Sequence, residues 1–342
     1  MRGGRLVLAA ALAAAGPALG PGSARAEDPP PSATVRPRTP RMPVVESEAV
    51  FGEHTYEGWL SSPLGLVFDP VEREILVADT DGRRIGIFDA RGAPLFTFGA
   101  GLLDAPFAIA VDPRSHHVYV LDQDRTRVRE FSYRGVPLGE VKLPGLAERK
   151  DVVLSALHVD AQGWLYVAEH KLCEVFVYDE ARKLVARFGS VGYDRGQFQA
   201  IIAITTDQDE VYVLDQVATA VQVFDRRGRF LHGWGEHAMG PDSFSLPSGL
   251  AVGSGGDVFV ADALRHEVKV FAPDGQFLGR FGGRGRLLGE LGYPAQLAFD
   301  SEGALLVLEK VNGRVQRFRV TVPAPPPPPP SPPAPVSSPP AP

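Results

Sequence analysis

An apolar pair followed by an acid recurs six times along this chain: Val77-Ala78-Asp79, Val120-Leu121-Asp122, Val167-Ala168-Glu169, Val213-Leu214-Asp215, Val260-Ala261-Asp262 and Val307-Leu308-Glu309. The spacings are 43, 47, 46, 47 and 47 residues. Nine positions after each acid stands an aromatic: Phe88, Phe131, Tyr178, Phe224, Phe271 and Phe318. A period of this length constrains the fold more than any local motif. Each copy must be one small unit that buries its faces on its neighbours.

The period within a copy identifies the unit. Leu64–Asp69, Glu74–Asp79, Arg84–Asp89 and Pro94–Phe98 are short, alternating or β-branched, and separated by turn residues. They read as strands. The turns carry the expected chemistry, as in Asp89-Ala90-Arg91-Gly92 and Pro273-Asp274-Gly275. No 3.6-residue period competes. Four strands in about 45 residues make one propeller blade, so the fold expected is an all-β, six-bladed β-propeller. The sixth copy stops after its third strand, near Val320, while an unpaired run, 44–52, precedes the first copy. That run ends Phe51-Gly52, like the fourth strands ending Phe98-Gly99, Phe188-Gly189, Trp234-Gly235 and Phe281-Gly282. The N-terminal strand is therefore expected to complete the last blade, so that the ring has no open flank. We expect a monomer.

The unit resembles the NHL repeat. That family runs Phe-Gly, a Gly-rich loop, Gly-Gln-Phe, Pro-x-Gly and a first strand, Tyr-Val-Ala-Asp, then Asn-His-Arg before the third strand. Here Gly196-Gln197-Phe198 fits the loop, and Pro63-Leu64-Gly65 and Pro247-Ser248-Gly249 fit the first strand. Arg84, Arg127 and Arg314 take the family's Arg position, His266 its His position and Asn312 its Asn position. The resemblance spans the whole repeat region and implies the propeller. It implies no single activity, because propellers host many.

The flanks do not belong to the fold. A basic start (Arg2, Arg5), an apolar run from Leu6 to Leu19 and small residues up to Ala26 have the three-part layout of a secretory signal peptide. Cleavage is expected after Ala26, with a secreted or periplasmic destination. The run is short for a membrane span, and no other stretch suits one. Residues 27–43 form a Pro-rich linker, 44–322 the propeller, and 323–342 a Pro-rich, polyproline-type tail. Loss of 1–26 removes three arginines and leaves 32 basic against 41 acidic residues. That balance opposes nucleic acid as partner, since no counterion release favours it. RNA binding, known for some animal NHL proteins, is disfavoured on the same ground and by the export signal. Cys173 is the only cysteine, so no intramolecular disulfide forms, and a packed thiol is expected.

Chemistry is harder to find. The six acids could be metal ligands, but an acid in every copy suits a repeated structural role, with the carboxylate accepting local backbone N–H bonds and shaping the next turn. They also sit away from the axis. The first strands should line the axis, and they are mostly small and apolar, as in Leu64-Gly65-Leu66 and Ile202-Ala203-Ile204. Related six-bladed lactonases hold calcium there with Glu, Asn and Asp. NHL-like peptide-amidating lyases hold zinc with three histidines near the channel. Here His158 alone lies on a first strand, without evident partners. His54, His170, His237 and His266 could share one face, and a metal would need three of them close together. The Gly-rich strings such as Gly282-Gly283-Arg284-Gly285 precede strands rather than helices, so they read as interblade loops and not as phosphate cradles. No Gly-x-Ser-x-Gly elbow occurs. No metal or cofactor is expected.

Recognition is expected on the face that gathers the interblade loops and second-to-third-strand turns, because these vary while the strands hold fixed. Trp59, Arg83, Arg125, His170, Tyr193, His237, Arg265 and Arg284 lie there, and aromatics with Arg are typical contact residues. The function expected is a non-catalytic scaffold or sensor that binds a protein, peptide or glycan. The alternative is a metal-dependent lyase or lactonase.

Overall fold

The structure, a computed structural model, describes residues 43–53 and 60–323. The described residues form six four-stranded antiparallel sheets and no helix. Blade one is Gly65–Asp69, Glu74–Asp79, Arg84–Asp89 and Pro94–Phe98. Three of these strands have the bounds expected from the sequence. The first begins one residue late, although the Leu64 amide still bonds the Ala78 carbonyl at 3.2 Å. Blades two to five cover 108–140, 154–189, 201–234 and 247–282. Blade six joins Pro294–Phe299, Leu305–Glu309 and Arg314–Thr321 to the N-terminal strand Val44–Phe51. The register runs from Val44 opposite Thr321 to Phe51 opposite Val315. No helix of the described residues is long and apolar enough to cross a membrane.

The first strands of successive blades pack side by side, and that of blade six packs on that of blade one, so the ring is closed. Small residues permit this approach. A Cβ on Gly249 would come within 2.7 Å of the Gln296 Cα in the next first strand. Farther out, each blade rests on the next through aromatics. Phe51 meets Phe88, Phe98 meets Phe131, Phe188 meets Phe224, Trp234 meets Phe271 and Phe281 meets Phe318, with ring centroids 4.5–6.0 Å apart. In each pair a fourth-strand ring of one blade covers the third-strand aromatic of the following blade. Such contacts add to the area they bury. The first pair is the ring's closure: Phe51 comes from the start of the chain.

One junction departs from the pattern. The fourth strand of blade two, Pro137–Glu140, is exposed and carries no aromatic. Tyr178 of blade three instead donates its hydroxyl to the Pro144 carbonyl in the interblade loop at 3.1 Å. The next blade's third-to-fourth-strand turn changes with it. Where an aromatic must be accommodated the turn has glycine, as at Gly135 (φ +81°), whose absent Cβ leaves room for Phe98. In blade three this place is held by Arg182, also at positive φ (60°). Its guanidinium bonds Asp112 at 3.1 Å and the Tyr119 hydroxyl at 2.5 Å in blade two. Leu143 and Leu146 of the interblade loop join the core cluster of Phe176 and Tyr178, and the charged clamp adds to that contact.

The channel narrows away from the loop face into a cavity of about 240 Å³ lined by Phe68, His158, Thr205 and Phe299, among others. His158 sits 3.0 Å from the Thr206 hydroxyl of the next blade, a partner its strand position did not disclose. Desolvation pulls its pKa from 6.5 down to about 4, with Asp160 opposing in part. The imidazole is therefore neutral at pH 7.

Two outcomes follow. Phe51→Ala should cost about 3–5 kcal/mol in urea unfolding; a loss under about 1 kcal/mol would mean that the closing strand carries no load. The His158 term has the sign of a depressed histidine. The unfolded chain takes up the proton below pH 6.5, whereas the folded ring resists until about pH 4, so stability falls as pH drops through that window. After discounting for the channel water, the loss is about 2–3 kcal/mol. Stability measured from pH 7 to 4 should fall by that much more in the wild type than in His158→Gln; parallel curves would disprove the assignment.

Candidate functional site

The loop face is held by the six repeated acids, all fully buried or nearly so. Each carboxylate accepts backbone N–H groups 15 to 18 residues upstream, in the loop that enters its own blade. Asp79 takes Ser61 at 2.5 Å, Asp122 takes Ala105 at 2.7 Å and Glu169 takes Val153 at 2.8 Å. Asp215 takes Gln199 at 2.7 Å, Asp262 takes Ser245 at 2.8 Å and Glu309 takes Gly292 at 2.6 Å. Several also cap the following turn, as Glu169 does at Leu172 and Asp215 at Ala218. The turn-shaping role expected from the sequence is present, and the longer reach to the interblade loop adds to it. At Asp79 burial raises the carboxyl pKa, while the Ser61 amide and Arg84 pull it back.

Inside this frame the loop-face end of the channel opens into a cavity of about 380 Å³. Its wall includes the apolar Leu64, Leu66, Ile109, Leu157, Ile202 and Ile204 from the first strands. Its rim is polar and includes Arg125, His170, Gln216 and Lys310. His170, Gln216 and Lys310 each directly follow a repeated acid. Arg125 lies over the Phe107 ring at 4.7 Å, and Lys310 over Tyr293 at 5.8 Å.

Around this mouth stand the tips of the second-to-third-strand turns, two residues after each acid. In blades one to three they are Asp81, Asp124 and Lys171; in blades four to six they are Val217, Leu264 and Val311. The three apolar tips are 49%, 58% and 66% exposed. The interblade loops of the same half add the exposed Tyr193, Met239, Leu287 and Leu288. The turn tips of blades four to six are thus apolar and those of blades one to three charged, while the interblade loops mix the two kinds, with Asp194, Glu236, His237, Arg284 and Arg286 also exposed.

Of the residues singled out from the sequence, Arg125 and His170 meet at the cavity. Tyr193, His237 and Arg284 are exposed in interblade loops, and Arg83 is exposed on the first blade's turn at φ 53°. Arg265 is committed elsewhere: it ties down 238–245 through the Gly240 carbonyl and Ser245 hydroxyl at 2.8 Å and the Ala238 carbonyl at 3.0 Å. Trp59, like His54, lies outside the described residues. His266 accepts the Tyr293 N–H at 3.0 Å. Among the described residues no group of three or more His, Cys, Asp or Glu is placed to hold a metal ion. Cys173 is buried, its thiol pKa raised by desolvation, as a packed thiol should be. Sequence reasoning missed Gln216 and Lys310. Their signal was the position directly after the acid, where His170 was already noticed.

The family model of the NHL repeat matches residues 244–271, in blade five. Among curated proteins there is no significant match. Solved structures resemble the fold at low identity. A structure of streptogramin B lyase is 10% identical with a TM-score of 0.59, covering 82% of this chain and 98% of that one. A protein of unknown function from Bacteroides thetaiotaomicron is 14% identical with a TM-score of 0.61, covering 82% and 76%. Hydrazine synthase of Kuenenia stuttgartiensis is 13% identical with a TM-score of 0.53, covering 78% and 96%. At such identities the likeness concerns the fold alone. With the same four-stranded unit six times around a closed ring and the NHL repeat matched at residues 244–271, the described chain is a six-bladed β-propeller whose fifth blade matches an NHL repeat.

Proposed function

We propose that this propeller is an exported, non-catalytic binding protein that docks a protein or peptide on the apolar turn tips of its loop face. The observation that carries the proposal is the split of the turn tips, apolar at Val217, Leu264 and Val311 and charged at Asp81, Asp124 and Lys171. A single exposed apolar residue needs no explanation, but three at the same turn position of successive blades suit a partner that spans those blades. These tips stand on turns pinned by buried carboxylates, so little ordering cost falls on binding. The charged tips would set the partner's orientation more than its affinity. The basic, apolar and small-residue segments of 1–26 support export. The likeness to streptogramin B lyase supports the enzyme alternative at the level of fold only.

The test is capture of partners from the organism's envelope fraction by the immobilised mature chain. A partner retained by the wild type should be lost from Leu264→Asp/Val311→Asp at unchanged melting temperature. Capture that is indifferent to the double substitution would overturn the assigned face. Stoichiometric zinc or calcium in the purified protein would favour a metal-dependent lyase or lactonase instead.

A further inference from the structure

We propose that the axial cavity is a second site, independent of the docking face, for a small organic carboxylate. The chain carries a net formal charge of −6, yet no Asp or Glu lines this cavity among the described residues, whereas Arg125 and Lys310 do. The acids just behind the rim are already satisfied. Asp122 accepts the backbone amides of Asp104, Ala105 and Gln123, and Glu309 accepts the Gly292 backbone amide, the Asn312 and Gln316 side-chain amides and the Arg314 guanidinium. The neighbouring Asp124 is taken by Arg127 at 2.7 Å.

Arg125 and Lys310 differ from five arginines of the ring that are held by carboxylates. Arg84, Arg182, Arg226, Arg314 and Arg317 all pair with carboxylates. Among the described residues Arg125 and Lys310 have none, and an aromatic face steadies each of them. Arg125, exposed at the rim, and the half-buried Lys310 therefore both border a cavity whose wall mixes Leu66, Ile109 and Leu157 with Ser155, Ser248 and Gln296. Their attraction for an anion is larger there than in open water. Ser155, also in the wall, has a buried hydroxyl with no hydrogen-bond partner among the described residues. A buried polar atom of that kind calls for a partner.

The ligand's chemistry follows from both parts of the site. An Arg fork matches a carboxylate's two oxygens. Leu66, Ile109 and Leu157 demand an apolar body, which inorganic phosphate lacks. The volume, about 380 Å³, is that of a small-molecule pocket.

The experiment is calorimetric titration of the full mature chain with octanoate and 4-phenylbutyrate, and with the amide of each at low ionic strength. At least one acid should bind at one per chain, and its uncharged amide about ten-fold or more weaker. Arg125→Gln/Lys310→Gln should weaken the acid by about the same factor and leave the amide unchanged, at an unaltered melting temperature. Equal affinity of acid and amide, acid binding that survives the double substitution, or no binding of either acid up to about 10 mM would each overturn the proposal. Leu264→Asp/Val311→Asp should not alter acid binding. A failure of the cavity and a failure of the docking face are thereby read separately.

Discussion

A buried carboxylate that reaches back to the loop entering its own blade is the interaction on which this molecule's loop face depends. Repeated six times, it converts six connections into six fixed edges. Each acid is surrounded by donors, and backbone amides supply most of them. That explains how a carboxyl group is accommodated with almost no water contact: the protein's own donors replace the solvent's. The series runs Asp, Asp, Glu, Asp, Asp, Glu. The loop donors lie 15 to 18 residues upstream, and Glu309 takes a larger donor set, with Asn312, Arg314 and Gln316 beside Gly292. Removing any one carboxylate would leave several buried N–H groups unsatisfied at once, which costs more than the bonds themselves.

Ring closure rests on a different contact with the same logic. Every junction but one joins a fourth-strand ring to a third-strand ring, and the chain start supplies the last of them through Phe51 and Phe88. The exception shows that the contact is a requirement and not a habit of composition. Blade two has no ring to offer, and its neighbour has given up both the receiving glycine and the bare aromatic face. Arg182, Asp112 and Tyr119 add charge and hydrogen bonds there. Clamps of the same type recur where Arg226 reaches Asp160 in blade three. A propeller can therefore lose a ring pair where interblade-loop leucines, here Leu143 and Leu146, keep the junction apolar; the ion pair is an addition, since Arg226–Asp160 stands at a junction that keeps its ring pair.

Most of this was legible in the sequence because strand position, acid and aromatic are locked to one register. The period places the strands within a residue, and Phe51-Gly52 announces the closing strand. What was not legible came from contacts between copies. Nothing near His158 in sequence points to Thr206, 48 residues on. Arg265 looked available for a ligand, yet its partners are loop carbonyls and a serine hydroxyl, which leave no trace in residue type. Lys310 and Gln216 were passed over because they occupy a position that varies from blade to blade, and variation between copies is invisible to a search for what repeats.

That variation is where function can reside. The acid and the aromatic cannot change without loosening a junction, so each copy is free only at the turn between them. The residue after the acid borders the channel, as His170, Gln216 and Lys310 do. The residue after that stands at the turn tip and faces outward in the exposed Lys171, Val217, Leu264 and Val311. Adjacent positions in sequence thus address two surfaces, one axial and one on the rim. Six copies give each surface six independent choices on a frame that does not move. A mouth bordered by Arg125 and Lys310 and turn tips that are charged in three blades and apolar in three are two different selections made within the same six turns.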